Sequence, residues 1–188
     1  MRTHIRTFIA IKIQPNKKVL ELLKYFKNKF PNDKINWVDT ENFHLTLRFI
    51  GDTTREQLYE LVDRLEEVCS GKKKFNLSLK GTGYFKSKNQ PRVLFIKIEA
   101  VEELHLLVQE IEEAVVTCGF EPEQKTFKPH LTLGRIKHVE NRNRFFSIMH
   151  EMPTVDYQDI EVEELILYQS ILKTTGPEYR TIKTFVLQ

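Results

Sequence analysis

The stretch HLTLRFI at 44–50 and the stretch HLTLGRI at 130–136 open on the same four residues, and each closes a segment of similar design. RTFIAIKI at 6–13, an amphipathic segment and a loop precede the first tetrapeptide. VLFIKIE at 93–99, another amphipathic segment and a loop precede the second. Ile9 to His44 is 35 positions and Ile96 to His130 is 34. Two copies are too few for a solenoid, whose units need several neighbours, so the repeat (about 6–50 and 93–136) predicts two similar lobes related by a pseudo-two-fold axis. Such an axis sets the two HLTL strands face to face across a cleft.

Side chains alternate across a strand, so each histidine shares a face with its threonine while the leucines point the other way. Leu45, Leu47, Leu131 and Leu133 then anchor the strands on helices, and His44, Thr46, His130 and Thr132 line the cleft. Two imidazoles facing one another suit phosphodiester hydrolysis, in which one group takes a proton from water and another gives one to the departing oxygen. Histidine's ordinary pKa near ~6.5 allows one to be neutral and the other charged. The threonine hydroxyls can donate to phosphate oxygens where charge develops. A lone HxT in a strand is weak, and a single histidine is more often structural. The identical tetrapeptide at equivalent places of a duplicated unit carries the argument.

Outward from these strands, apolar periodicity predicts three helices. The first follows Asn16, with Val19, Leu22, Leu23, Phe26 and Phe30 on one stripe. The second opens with Thr53 and Glu56 in capping-box relation and runs through Leu58, Leu61, Val62, Leu65 and Val68. The third carries Val101, Leu104, Val108, Ile111 and Val115 and stops near Gly119. Further strands are expected at 75–80, 162–170 and 179–187. The chain is thus α+β, with antiparallel-rich sheets lining the cleft and helices packed outside, and residues 1–188 are expected to form a single bilobal domain.

With 188 residues, 40% hydrophobic and 29% charged, the composition is that of an ordinary globular protein. The N-terminal apolar run is too short and too interrupted by Arg and Lys for a secretory or membrane segment, and a cytoplasmic protein is expected. Cys69 and Cys118 stand far apart and are expected to be reduced thiols. The net charge of +3 permits an anionic partner without requiring one. Two stretches concentrate it: Lys72, Lys73 and Lys74, and Lys86, Lys88 and Arg92, the second beside Tyr84 and Phe85 and the better nucleic-acid candidate. Neither HLTL histidine has a cysteine or carboxylate at the close spacing of a zinc site, so no metal is expected. No glycine-rich phosphate loop is present, and no cofactor is expected. His4, His105, His138 and His150 lack a repeated context and read as incidental.

The segments NWVDTENFHLTLRFIGD, GTGYFKSKNQPRVLFIKI, FKPHLTLGRIK and LYQSILKTTGPEYRTI, with the opening RTFIAIKI, together resemble the two-histidine (LigT-like) phosphoesterase superfamily. The likeness is specifically to the RNA 2′,3′-cyclic phosphodiesterases once named 2′-5′ RNA ligases, and it runs almost end to end. The resemblance implies a bilobal fold, metal-independent chemistry and hydrolysis of an RNA 2′,3′-cyclic phosphate end to a 2′-phosphate. It implies roles too: His44 as proton donor to the 3′ oxygen and His130 as proton acceptor from water. Residue physics establishes only their pairing.

In such enzymes an arginine after the second motif holds the phosphate, and Arg135 matches it. Strict alternation from His130 would put Arg135 on the leucine face, so the strand must twist or bulge near Gly134, or the side chain must wrap around. Arg48 is in phase with His44 and Thr46 and is a second candidate for substrate binding. No protein partner is indicated and a monomer is expected. Two alternatives remain open at this stage: the same fold acting on 2′-5′ linked or small cyclic nucleotides, with 2′-5′ ligation as a side activity, or a module that binds RNA ends without turnover.

Overall fold

The computed structural model describes residues 4–99, 101–174 and 176–188. Among the described residues nine strands form two antiparallel sheets. In the first, β3 (His44–Thr53), β1 (Ile5–Lys12), β8 (Glu164–Lys173) and β9 (Gly176–Val186) lie side by side in that order. The second runs β2 (Lys34–Trp37), β6 (His130–His138), β5 (Gln90–Ile98), β4 (Phe75–Ser87), β7 (Asp156–Val162). Each HLTL strand pairs antiparallel with the strand that opens its own repeat, β3 with β1 and β6 with β5. The registers match: Ala10 lies opposite Thr46 and Lys12 opposite His44, just as Phe95 lies opposite Thr132 and Lys97 opposite His130.

The helices cross between the copies. Helix α1 (Lys17–Lys29) belongs to the first repeat but packs on the second sheet, where Asn16 donates from Nδ2 to the Tyr157 carbonyl at 2.8 Å. Beside it lies α4 (Arg142–Glu151), with Phe30 against Phe145 at 5.1 Å and Arg144 donating to the Lys29 carbonyl at 2.9 Å. Helices α2 (Arg55–Cys69) and α3 (Glu102–Thr117) pack on each other and cover the first sheet, α3 against β3 and α2 against β9. The repeats are therefore interlocked. The leucine faces of both sheets and the stripes of all four helices share one continuous core, with Ile9, Leu45, Leu94, Leu131 and Leu133 at 1% exposure or less. By order of magnitude, truncating any one of these leucines to alanine costs about 2–5 kcal/mol.

Several expectations shift. The capping box sits one residue later than expected: Thr54 caps α2 and exchanges hydrogen bonds with Gln57, while Thr53 is buried with its hydroxyl 2.6 Å from that of Thr7. Strands β2 and β7 and helix α4 carry no clear periodic signal in the sequence. Strand β2 is four residues long and edge-placed, too short for an alternating pattern. Helix α4 opens on two arginines and buries only Phe145 and Met149, so its periodicity is faint. Strand β7 has charges at every second or third position because one of its faces meets solvent at the sheet edge.

Candidate active site

His44 and His130 are the first residues of β3 and β6, and each enters its strand from a loop that supplies an acceptor. Nδ1 of His44 lies 2.6 Å from the Asn42 carbonyl, and Nδ1 of His130 lies 2.6 Å from the Lys128 carbonyl. A carbonyl can only accept, so both rings carry a proton on Nδ1 and leave Nε2 for chemistry. The loop before His44 is a 3-10 turn, Thr40–Asn42, capped by Asp39.

Each ring is wedged between aromatic side chains. His44 meets Phe8 at 5.2 Å and the edge of Tyr179 at 5.3 Å, whereas His130 meets Phe85 edge-on at 4.9 Å and Phe95 at 5.2 Å. Gly83 is required for the second wedge: a Cβ there would stand 2.6 Å from the Phe95 ring. Burial lowers the pKa of both histidines below the ordinary value. The carbonyl acceptors oppose that shift, and the positive charge of Arg135 adds to it at both rings. His130 also lowers His44, so the two imidazoles sense one another electrostatically. Both rings line one cavity of about 1650 Å³ with Thr46, Thr132 and Arg135. Among the described residues neither threonine hydroxyl is taken up by a protein partner.

Arg135 reaches the cavity through a β-bulge. Phe95 pairs with Thr132 but the next residue back, Leu94, pairs with Gly134, so Leu133 is the extra residue and the phase of β6 inverts. Gly134 makes the bulge possible beside β2, since a Cβ would lie 2.7 Å from Ile35 Cγ2. The carbonyl of Leu133 stays satisfied by the Val38 amide at 2.9 Å.

The same bulge recurs in β3, where Ala10 pairs with Thr46 and Ile9 with Arg48, leaving Leu47 extra. It changes the expectation for Arg48. That side chain lies opposite core residue Ile9 and turns toward α3, with Nε 2.6 Å from Glu112 and Nη1 3.5 Å from Glu123. It also donates to the carbonyls of Phe49 at 2.6 Å and Glu121 at 2.5 Å. Arg48 borders the cavity, but its guanidinium is committed to protein partners. Phe49 takes the position equivalent to Arg135, stacked on Phe8 at 5.4 Å.

The basic stretches divide as well. Lys72 pairs with Glu110 at 2.6 Å and Lys74 with Glu163, which ties them into the fold. Lys86, Lys88 and Arg92 are exposed on the β4–β5 hairpin, whose turn residues Lys88 and Asn89 both have positive φ, as a type I′ turn requires. Of the aromatics beside them, Phe85 faces His130, while Tyr84 packs under α4 against Phe145. His4, His138 and His150 are exposed away from the cavity, and His105 stands on its rim. Cys69 and Cys118 are buried and free, with burial pushing the Cys69 thiol up to about 11. Among the described residues no three His, Cys, Asp or Glu side chains are grouped to hold a metal ion, and no helix is long and apolar enough to cross a membrane.

The aromatic lining is a feature that the HLTL repeat alone does not reveal. Its signal was present in RTFIAIKI, where Ile9, Ile11 and Ile13 mark the core face and Phe8, Ala10 and Lys12 must therefore face the cleft.

Comparison with known proteins agrees with this geometry. The LigT-like phosphoesterase family model matches residues 11–95 and again 96–179, once for each copy. An RNA 2′,3′-cyclic phosphodiesterase of Aeropyrum pernix is 36% identical over 146 residues, covering 77% of this chain and 82% of the relative. One from Thermotoga maritima is 33% identical over 181 residues, covering 95% and 93%. A crystal structure from Thermus thermophilus superposes with a TM-score of 0.78 at 29% identity, covering 97% of this chain and 98% of that one. With both copies matched and both histidine strands meeting at one cavity, the chain belongs to the LigT-like phosphoesterase family.

Proposed function

We propose that this protein hydrolyses the 2′,3′-cyclic phosphate at an RNA end to a 2′-phosphomonoester, by acid/base catalysis between His44 and His130 and without a metal. The observation that carries the reading is the matched pair of imidazoles. Each has Nδ1 tied to a carbonyl, and both line one cavity together with Thr46, Thr132 and Arg135. Its volume of about 1650 Å³ exceeds the roughly 300–1,000 Å³ typical of small-ligand pockets, leaving room for chain upstream of the terminal ribose.

In the proposed step, Nε2 of His130 takes a proton from water as the water oxygen attacks phosphorus in line with the 3′ oxygen. The P–O3′ bond breaks, and Nε2–H of His44 delivers its proton to that oxygen. The products are a free 3′-hydroxyl and a 2′-phosphate. Thr46, Thr132 and Arg135 donate to the non-bridging oxygens as charge builds on them. The His130–carbonyl bond is solvent-exposed while that of His44 is half-buried, which supports His130 as the partner of water. We place the enzyme in the cytoplasm, acting as a monomer.

The test is incubation of an oligoribonucleotide ending in a 2′,3′-cyclic phosphate with pure protein in EDTA. A 2′-phosphate is expected, and no turnover overturns the reading. The roles separate with a substrate whose 3′ bridging oxygen is sulfur, a leaving group that needs no proton. His44→Ala should be rescued on it and His130→Ala should not; the reverse pattern would exchange the two roles.

A further inference from the structure

The helices covering the two sheets carry opposite charge. Helix α1 has five lysines against one glutamate, and α4 has two arginines against one glutamate. On the other side α3 has five glutamates and no lysine or arginine, and α2 has five carboxylates against two arginines.

The two faces also differ in how their charges are satisfied. The acidic helices find internal partners: Glu112 with Arg48, Glu110 with Lys72, Glu66 with Lys183 and Glu67 with Arg64. On the basic side the sole ion pair among the described residues is Lys17 with Glu21 at 3.8 Å. Lys18, Lys24, Lys27 and Arg142 are exposed and have no carboxylate partner there.

Helix stability does not explain the cations at the N-terminal ends of these helices. Lys17 and Lys18 open α1, Arg142 and Arg144 open α4, and neither first turn holds an acidic residue. Cations at a helix N-terminus oppose the macrodipole. Lys17, Lys18 and Arg142 therefore sit where helix stability does not call for them and where an external anion would be held. Lys27 and Lys29, by contrast, suit the last turn of α1, and Arg144 also binds the Lys29 carbonyl.

The β4–β5 hairpin joins the cleft face of the second sheet to the face that α4 and α1 cover, because the consecutive residues Tyr84 and Phe85 point to opposite sides. Phe85 touches the His130 ring, and the next residues of that hairpin are Lys86 and Lys88. Tyr84 on the same strand packs beneath α4, and α4 packs on α1. A polyanion leaving the cavity past His130 and around this hairpin would meet the hairpin cations first and those of α4 and α1 on the far face next.

We infer that the α1–α4 face, joined to the cleft by the β4–β5 hairpin, binds the phosphate backbone of the RNA body upstream of the cyclic end. This rests on the proposed activity for the identity of the polyanion. Backbone contacts of this kind release counterions and make affinity steeply salt-dependent, without sequence preference.

The test compares wild type with the triple variant K24Q/K27Q/R142Q, and with the control R55Q/R64Q/K73Q, which removes the same charge from the α2 side. The binding probe is a stem-loop RNA with an ordinary 3′-hydroxyl. We expect the test variant alone to bind more weakly, with a slope of log affinity against log salt shallower by about 2–3. Turnover should follow: kcat/KM falls about tenfold or more on the same stem-loop ended by a cyclic phosphate, by the loss of backbone contacts, and stays unchanged on cytidine 2′,3′-cyclic monophosphate. Equal slopes and affinities for wild type and test variant overturn the inference. So does an equal loss in the control, which would reduce the effect to net charge. Binding to phosphatidylserine vesicles that the test variant loses while its RNA binding is unchanged makes the face a membrane surface and also overturns it. If no protein turns over either substrate but the slopes differ as expected, the proposed activity fails and the RNA face stands.

Discussion

The first and second HLTL strands begin alike and diverge after four residues. Both place histidine and threonine on the cleft face, and both bulge at the second leucine, Leu47 in one and Leu133 in the other. Beyond the bulge, β3 continues Arg48-Phe49 and β6 continues Gly134-Arg135. The inverted phase sends Arg48 to the carboxylates of Glu112 and Glu123 and brings Phe49 to the cleft; in β6 it hides the glycine and brings Arg135 to the cleft. Duplication thus supplies the matched pair of imidazoles, and the divergence adds a further aromatic ring, Phe49, on one side and a cation, Arg135, on the other.

The largest effect should come from breaking what the two copies share. His44→Ala and His130→Ala are each expected to lower kcat on a cyclic phosphate by about 10²–10⁴-fold with unchanged circular dichroism. Retention of wild-type rate by either would remove that residue from the proton transfers.

Next comes the feature that only one copy has. Arg135→Gln should cost roughly 10²–10³-fold in kcat, the usual scale for losing a donor to developing charge. Its positive charge also lowers both histidine pKa values, so the variant's pH profile of kcat/KM should move to higher pH. A loss of rate with an unmoved profile would mean that Arg135 acts on substrate alone. Thr46→Val and Thr132→Val should cost less than Arg135→Gln, measured by single-turnover rates.

Gly134→Ala tests the bulge itself. With a Cβ 2.7 Å from Ile35 Cγ2, overpacking should cost about 1–3 kcal/mol in urea unfolding and displace β2 or Arg135. Arg48→Met should lower stability, since it strips Glu112 and Glu123 of a partner, while leaving the pH profile of turnover in place.

The smallest effect is on pH-dependent stability. Both histidines have lowered pKa values in the fold, chiefly through burial, so the unfolded chain binds protons first as pH falls. Stability is therefore full above the unfolded value near ~6.5 and declines as pH drops through the folded values. His44→Gln should flatten that decline as pH falls below ~6.5, read from urea midpoints.

Much of this architecture was legible in the chain because its causes are local. Helical spacing along Val19, Leu22, Leu23 and Phe26 and strict alternation through HLTL report which faces are apolar, and the repeated tetrapeptide reports which polar residues belong together. Those signals act over a turn of helix or a few residues of strand. The short β2 and the weakly apolar α4 left no such pattern, being held by neighbours instead.

What alternation could not decide is where it stops. Carried past the second leucine, it puts Arg48 in phase with the histidine and Arg135 out of phase; the bulges bring Arg135 into the cleft and leave Arg48 at its border, paired with Glu112 and Glu123. A bulge depends on which strand lies alongside and on whether a glycine there must admit a third strand. Both are properties of pairing between segments far apart in the chain. For the same reason the crossing of α1 and α3 onto each other's sheets, and the gathering of cations from α1, α4 and the β4–β5 hairpin, belong to the tertiary structure. The residues carry the charges and the apolar stripes, but long-range packing decides which of them share a face.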